Sequence, residues 1–382
     1  MQKFEKRSPV VVTEVTTKHE LRQFMQYPNR LYADNPNYIP SFYGDDLSDW
    51  TPGKNPAFDY CEARCWLAWR DGEIVGRIGA ILSHKANDKF GTHRMRFSQV
   101  DFVDDSEVSA ALFGTVERWA REKGCDQVHG PLGFTDMDRE GMLVEGFDRR
   151  SLFFTNYNAP YYLEHLTRLG YRKDVDWIEY RITVPEPGGA EAERLHKLSE
   201  FILKRKHLHV ATVHHKSEYG PFVRQVFELV NAAYAPLYGV VELSDEQIER
   251  YANKFIPLVD PDFVCFVVDE QDQLVAFGVT ALDPSVALKH SDGRLFPFGW
   301  AGVLNDLHHS DTLIMLLTAV RPDLQAEGIN AVMMDHVCQS CNRHGVRFAE
   351  TGPMLELNDH ILAQWKRLEK EQHKRRRCFI KD

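Results

Sequence analysis

No uninterrupted apolar run in this 382-residue chain approaches the roughly 20 residues that a membrane-crossing helix needs. The opening MQKFEKRSPVVV lacks an apolar core followed by a small-residue cleavage site, so no secretory leader is expected. Positive charge is short as well. Lys and Arg number 46 against 56 Asp and Glu, a net charge of −10, which speaks against general nucleic-acid binding, because that depends on basic patches that neutralise phosphates. Cysteine is sparse: seven residues, an odd number, scattered among apolar neighbours, which predicts reduced structural thiols as in a cytoplasm. Cys338-x-x-Cys341 has no second ligand pair, so no metal is expected there. A Lys-Ser/Thr pair following a glycine-rich turn is also missing, and with it the ATP phosphate loop.

What is present is enough apolar material, 43% with 12% aromatic, for real cores, and a length that favours two domains of moderate size. The most informative stretch is 312–345, TLIMLLTAVRPDLQAEGINAVMMDHVCQSCNRHG. Its apolar run over 313–320 predicts a buried strand, and apolar residues at helical spacing over 329–341 predict a helix. Between them Pro322 ends the strand and Gly328 opens the helix without a Cβ, so the amides of Gln325, Ala326, Glu327, Gly328, Ile329 and Asn330 can converge. Unpaired N–H groups and the helix dipole both favour an anion at such a corner, and a pyrophosphate would fit.

The spacing Gln325-x-x-Gly328-x-Asn330 after Val320-Arg321-Pro322 resembles the coenzyme A pyrophosphate loop of the GCN5-related N-acetyltransferase superfamily. Asn330 stands where that pattern has a small residue. The resemblance implies acetyl-CoA or another acyl-CoA as donor, no metal, and direct transfer to a small amine-bearing acceptor. Strand amides at Thr318, Ala319 and Val320 would then polarise the thioester, Asn358 would touch the cofactor, and Glu350 or Glu356 would take the amine proton. The tyrosine that often protonates the departing thiolate in this superfamily has no counterpart in the last helix, where Trp365 stands.

The element order over 10–184 follows the same plan: strand, helix, three antiparallel strands including a hairpin around Asp71-Gly72, helix, strand. At the equivalent junction, however, Asp104-Asp105-Ser106-Glu107 has no glycine and sets carboxylates where a pyrophosphate would sit, with Ser106 expected as helix cap. Pro185-Glu186-Pro187-Gly188-Gly189 is the clearest linker. The expectation is therefore an α/β chain of two tandem acyl-CoA N-acyltransferase-like domains, each a twisted, mostly antiparallel mixed sheet flanked by helices. Residues 1–185 form a degenerate N-terminal copy, 186–208 a linker and bridging helix, and 209–382 the copy that holds acyl-CoA.

The acidic and aromatic stretch after Gly130 reads either as a solvated loop or as a substrate pocket. In the second case Asp136, Asp138, Glu140 and Glu145 attract an amine, and Tyr157 and Tyr162 supply walls. The segment 283–311 reads as a loop covering the second domain, with His308 and His309 as exposed polar residues, 359–372 as a helix, and Lys374-Arg375-Arg376-Arg377 as a solvated face. Two further functions stay open: a non-catalytic protein that binds a small cationic ligand or a protein partner, and aminoacyl transfer from a charged tRNA, which the acidic balance disfavours. No membrane partner is expected, and oligomeric state is not legible.

Overall fold

The structure, a computed structural model, describes residues 8–382. Contacts group the described residues into two compact units, 8–176 with 288–294 and 375–382, and 177–287 with 295–374. The last eight residues thus count with the first unit, where an order-of-sequence reading puts them with the second. Pairing between residues far apart in the chain decides this.

The first unit begins with β1 (Val11–Glu14), α1 (Lys18–Leu31) and α2 (Tyr43–Asp49). Thr17 and Glu20 close a reciprocal cap at the start of α1, satisfying two orphan amides. The hairpin of β2 (Cys61–Arg70) and β3 (Glu73–Ser83) turns at Asp71 and Gly72, both at positive φ (51° and 81°). Then come α3 (His84–Phe90), β4 (Arg94–Phe102), α4 (Ser106–Glu122), β5 (Gln127–Gly130), β6 (Met142–Glu145), α5 (Tyr162–Arg168) and β7 (Arg172–Thr183). Strands β1 to β4 pair antiparallel in order and β5 joins β4 in parallel. Phe97, Phe102, Phe113 and Trp119 bury their rings between this sheet and α4, each contributing roughly 1.5–3 kcal/mol of apolar burial.

The second unit repeats the plan. After α6 (Ala190–Lys206), β8 (His209–Val210), α7 (Gly220–Tyr234) and α8 (Asp245–Phe255) come β9 (Val264–Val268) and β10 (Leu274–Leu282). Next are α9 (Ser285–His290), α10 (Gly299–His309), β11 (Thr312–Val320), α11 (Asn330–His344) and β12 (Phe348–Glu350). The chain ends with β13 (Met354–Leu355), α12 (Asp359–Ala363) and β14 (Lys370–Lys381). Strands β8, β9, β10 and β11 run antiparallel, and β12 joins β11 in parallel. Each unit is thus a mostly antiparallel mixed sheet whose one parallel step lies between the strand before its long helix and the strand after it.

Three expectations fail here. The helix expected over 359–372 stops at Ala363, and 370–381 is a strand. The segment 283–311 folds into α9 and α10, with Val303 and Leu307 buried on one face of the latter. The basic run is not a solvated face: Lys374 and Arg376 are 1% and 0% exposed. Carboxylates distant in sequence make that burial tolerable. Glu179 and Glu350 lie 3.6 and 3.3 Å from the Lys374 ammonium, and Asp176 takes both Arg375 and Arg377. The seven cysteines carry no disulfide.

Candidate functional site

In the second unit β11 and β12 pair only from Thr312 to Ile314, opposite 348–350, and then part, while β11 continues alone to Val320. The amide of Arg321 donates to the Val275 carbonyl (2.9 Å), so Val275, Phe277 and Val279 turn their backbone groups toward β11, and Ala319 and Leu317 answer them. By alternation, Thr318 and Val320 turn theirs to the open side. Their carbonyls behave accordingly, Thr318 accepting from the Tyr234 hydroxyl (2.7 Å) and Val320 from the Gln325 side chain (3.3 Å). The amide of Ala319, expected among the polarising groups, faces β10 instead. A bulge lies one step further in: Leu317 opposes Val279 and Met315 opposes Thr280, leaving Leu316 unmatched.

The open side leads at its far end to the loop 321–330. Ala326 (φ 64°) and Gly328 (φ 83°) take left-handed conformations, which curl successive amides into a concavity suited to an anion. Ile329 is the N-cap of α11 and supplies no side-chain cap, and residues 325–328 are exposed. A Cβ on Gly328 would stand 3.0 Å from Ile202 Cδ1, so the position has neither the backbone nor the room for a larger residue. The Glu327 carboxylate points its charge at Lys206 (2.8 Å), which holds its pKa below the usual range, so the loop's own acid is neutralised by α6.

Behind the parted strands lies a cleft whose walls are almost wholly apolar. Four methionines line it from three elements: Met315 on β11, Met333 and Met334 on α11, and Met354 on β13, with Trp365 and Leu195 beyond. Asn330 sits at its edge nearest the anion corner. No carboxylate or imidazole is among its walls. Tyr234 is there, and so are Cys338 and Cys341, whose thiols burial pushes up to about 11 and about 12.

Several expected site residues lie elsewhere. Glu350 alternates away from the cleft that its neighbours Ala349 and Thr351 line, and its carboxylate is held by Arg181 (3.1 Å) and Lys374. Glu356 does not line the cleft either. The Asn358 side chain is spent accepting from the Ile361 amide as cap of α12. Sequence reasoning missed Tyr234, the last residue of α7, because nothing in its spacing relates it to β11, some 80 positions later.

The matching corner of the first unit is closed. Asp105, not Ser106, caps α4: its carboxylate accepts from the amides of Glu107 and Val108 and is paired with Arg70 (2.5 Å). The parting between β4 and β5 is filled by Tyr162, fully buried, stacked on Phe102 at 4.1 Å and accepting from the Phe102 amide (2.7 Å). Tyr162 therefore belongs to the core and not to a substrate wall. Tyr157 does line a polar pocket, where it accepts from Asn35 (2.6 Å). Four of the charges on its walls pair with each other, Arg77 with Asp101 (2.7 Å) and Arg139 with Asp46 (2.9 Å).

Of the acidic quartet, none lines that cavity. Asp138 accepts from the amides of Phe134 and Thr135, and Glu145 pairs with Arg375 (3.2 Å). Burial raises the pKa of Asp136 to about 6 and that of Glu140 well above the usual range; the Asp138 charge adds to both, and that of Asp136 to Glu140. A carboxyl whose folded pKa exceeds its unfolded value costs stability once ionised, so that cost grows as pH rises from about 4 through about 6. Asp136→Asn is accordingly expected to raise the melting temperature at pH 7.5 by a few degrees and to lose the advantage below pH 4, read by thermal scans across that range.

No family model matches the chain. It is 27% identical over 377 residues to Protein YghO of Escherichia coli strain K12, covering 97% of this chain and 95% of that one. It is 28% identical over 300 residues to a bacterial ceramide synthase of Caulobacter vibrioides, covering 77% and 75%. Among solved structures, a tandem GCN5-related N-acetyltransferase protein from the clavulanic acid biosynthesis pathway superposes with a TM-score of 0.54 at 13% identity, covering 97% of this chain and 98% of that one.

Proposed function

We propose that this chain, which carries the GCN5-related N-acetyltransferase fold in tandem, moves a long acyl group from acyl-CoA to the amine of an apolar acceptor. The observation that carries the reading is the continuity, within the second unit, of an open anion corner, a strand edge with free-facing amides and a large apolar cleft. An acetyl group needs no apolar lining of such extent. The name of the Caulobacter relative points the same way, since making a ceramide is N-acylation of a long-chain amino alcohol.

In this reading the amides of 325–330 hold the pyrophosphate, with Lys206 and Arg205 adding positive charge nearby. The amides of Thr318 and Val320 align the pantetheine arm, and the methionine-lined cleft takes the acyl chain, Met adapting to its shape. At the bulge, the amide of Leu316 is the donor for the thioester oxygen as it gains charge. The amine forms the new C–N bond, the C–S bond breaks, and the Tyr234 hydroxyl is the group placed to give the departing thiolate its proton. With no carboxylate or imidazole on the cleft walls, the amine proton leaves through water. Glu350, Glu356 and Asn358 have no part in this scheme.

That missing base is also the one observation favouring a second reading, a module that binds acyl-CoA without turning it over. Free-thiol release separates the two. Palmitoyl-CoA with a long-chain amine is expected to release thiol only when the amine is present, and Tyr234→Phe to slow release by about 100-fold. An aryl thioester, whose thiolate leaves without a proton, is expected to restore the variant's rate. Binding without any amine-dependent release would leave the module reading standing.

A further inference from the structure

The ten residues 295–304, LFPFGWAGVL, carry no charge, and four of their side chains stand in solvent: Phe296 and Phe298 at 80% exposure, Trp300 at 47% and Leu304 at 45%. They form one patch. The Trp300 amide and indole donate to the Leu295 and Pro297 carbonyls, folding the aromatic turn onto the first turn of α10. Trp300 and Leu304 are four apart, so they share the outward face of that helix, while Val303 and Leu307 bury the inward one. Packing alone gives no reason for two phenyl rings to be held four-fifths in water. Contiguous apolar patches rimmed by polar residues mark contact with a protein or a membrane.

We infer that residues 296–304 dock the second unit onto a lipid bilayer, inserting Phe296, Phe298, Trp300 and Leu304 at the level of the headgroups. The inference rests on the acyl-transfer reading in one respect: an amine bearing a long chain, and its N-acylated product, partition into lipid, so the enzyme must meet them at that surface. The chemistry of the patch favours a bilayer over a protein. Its ten residues have no charged group to desolvate, and its aromatic side chains suit the interface, with the indole N–H already satisfied. No helix among the described residues is long and apolar enough to cross a membrane, so the contact is interfacial.

Flotation of the full chain with vesicles of phosphatidylcholine and phosphatidylglycerol tests this without substrate. The wild type is expected to rise with the vesicles, and the double variant Phe296→Ser/Phe298→Ser to bind about 100-fold more weakly, given what two buried rings contribute. Both are expected to share one melting temperature and one rate of thiol release from a short, water-soluble acyl-CoA. A wild type that stays in the soluble fraction, or a variant that floats equally, overturns the inference. So does a wild type that self-associates in light scattering, without vesicles, where the variant is monomeric, because the patch then joins two copies of the chain. Absence of thiol release from the wild type would sink the acyl-transfer reading and leave the flotation result to be judged by itself.

Discussion

Replacing Gly328 by valine is expected to weaken binding of CoA by at least 100-fold in calorimetric titration, with little change in the first unit. The φ of 83° there is one that a β-branched residue adopts only under strain, and the new side chain would meet Ile202 at 3.0 Å or less. Either outcome, a shifted loop or a shifted α6, turns the amides of 325–330 out of convergence. Hydrogen bonds to a charged group contribute about 1.5–3 kcal/mol each, so losing two removes about 3–6 kcal/mol, which is a factor of 100 or more. Valine at Ser106 provides the control. The corresponding helix start of the first unit is already occupied by the Asp105 carboxylate, so CoA binding should not notice that change. Undiminished affinity in Gly328→Val would remove the pyrophosphate assignment, and with it the donor.

The second large effect concerns chain length. Wild-type affinity for acyl-CoA is expected to climb about fourfold per added methylene, the equivalent of about 0.8 kcal/mol each, until the cleft is full. Gly278 lines that cleft on β10 without a positive φ, and a Cβ there would meet Met333 at an ordinary 3.8 Å. Its missing side chain therefore keeps space open. Gly278→Leu, which fills roughly the volume of four methylenes, is expected to cost about 3 kcal/mol of long-chain binding, on the order of 100-fold, while acetyl-CoA binds as before. Competition of palmitoyl-CoA against acetyl-CoA on the two proteins measures this directly. A wild type indifferent to chain length would show that the cleft holds something other than an acyl chain.

The repeated plan and the strand, loop and helix of 312–345 were legible because both rest on local rules. An apolar run of strand length, a glycine where the helix opens and a helical period after it are written within 312–345. The closure of the first unit's corner was legible for the same reason, since Asp104-Asp105 lies next to the helix it caps. The apolar cleft was not. Its walls come from β7, α6, α7, β10, β11, α11, β12, β13 and α12, and each methionine in it reads from the sequence as an ordinary core residue. Glu350 and Glu356 were placed by chain position, yet on a strand a one-residue step reverses the face, and Glu350 fell on the side of Lys374.

Amino-acid order alone thus determined most of the element sequence, the hairpin turn at Asp71-Gly72, the glycine where α11 opens and the net charge of −10, because propensity, capping and net charge act over a few residues or over the whole composition. Tertiary structure decided which residues of β11 turn their backbone away from β10, where the bulge falls, that Tyr234 at the end of α7 reaches the strand, and that Lys374 and Arg376 are drawn into the interior. Each of those depends on pairing between residues distant in the chain, and a one-dimensional period carries no information about which distant partner will arrive.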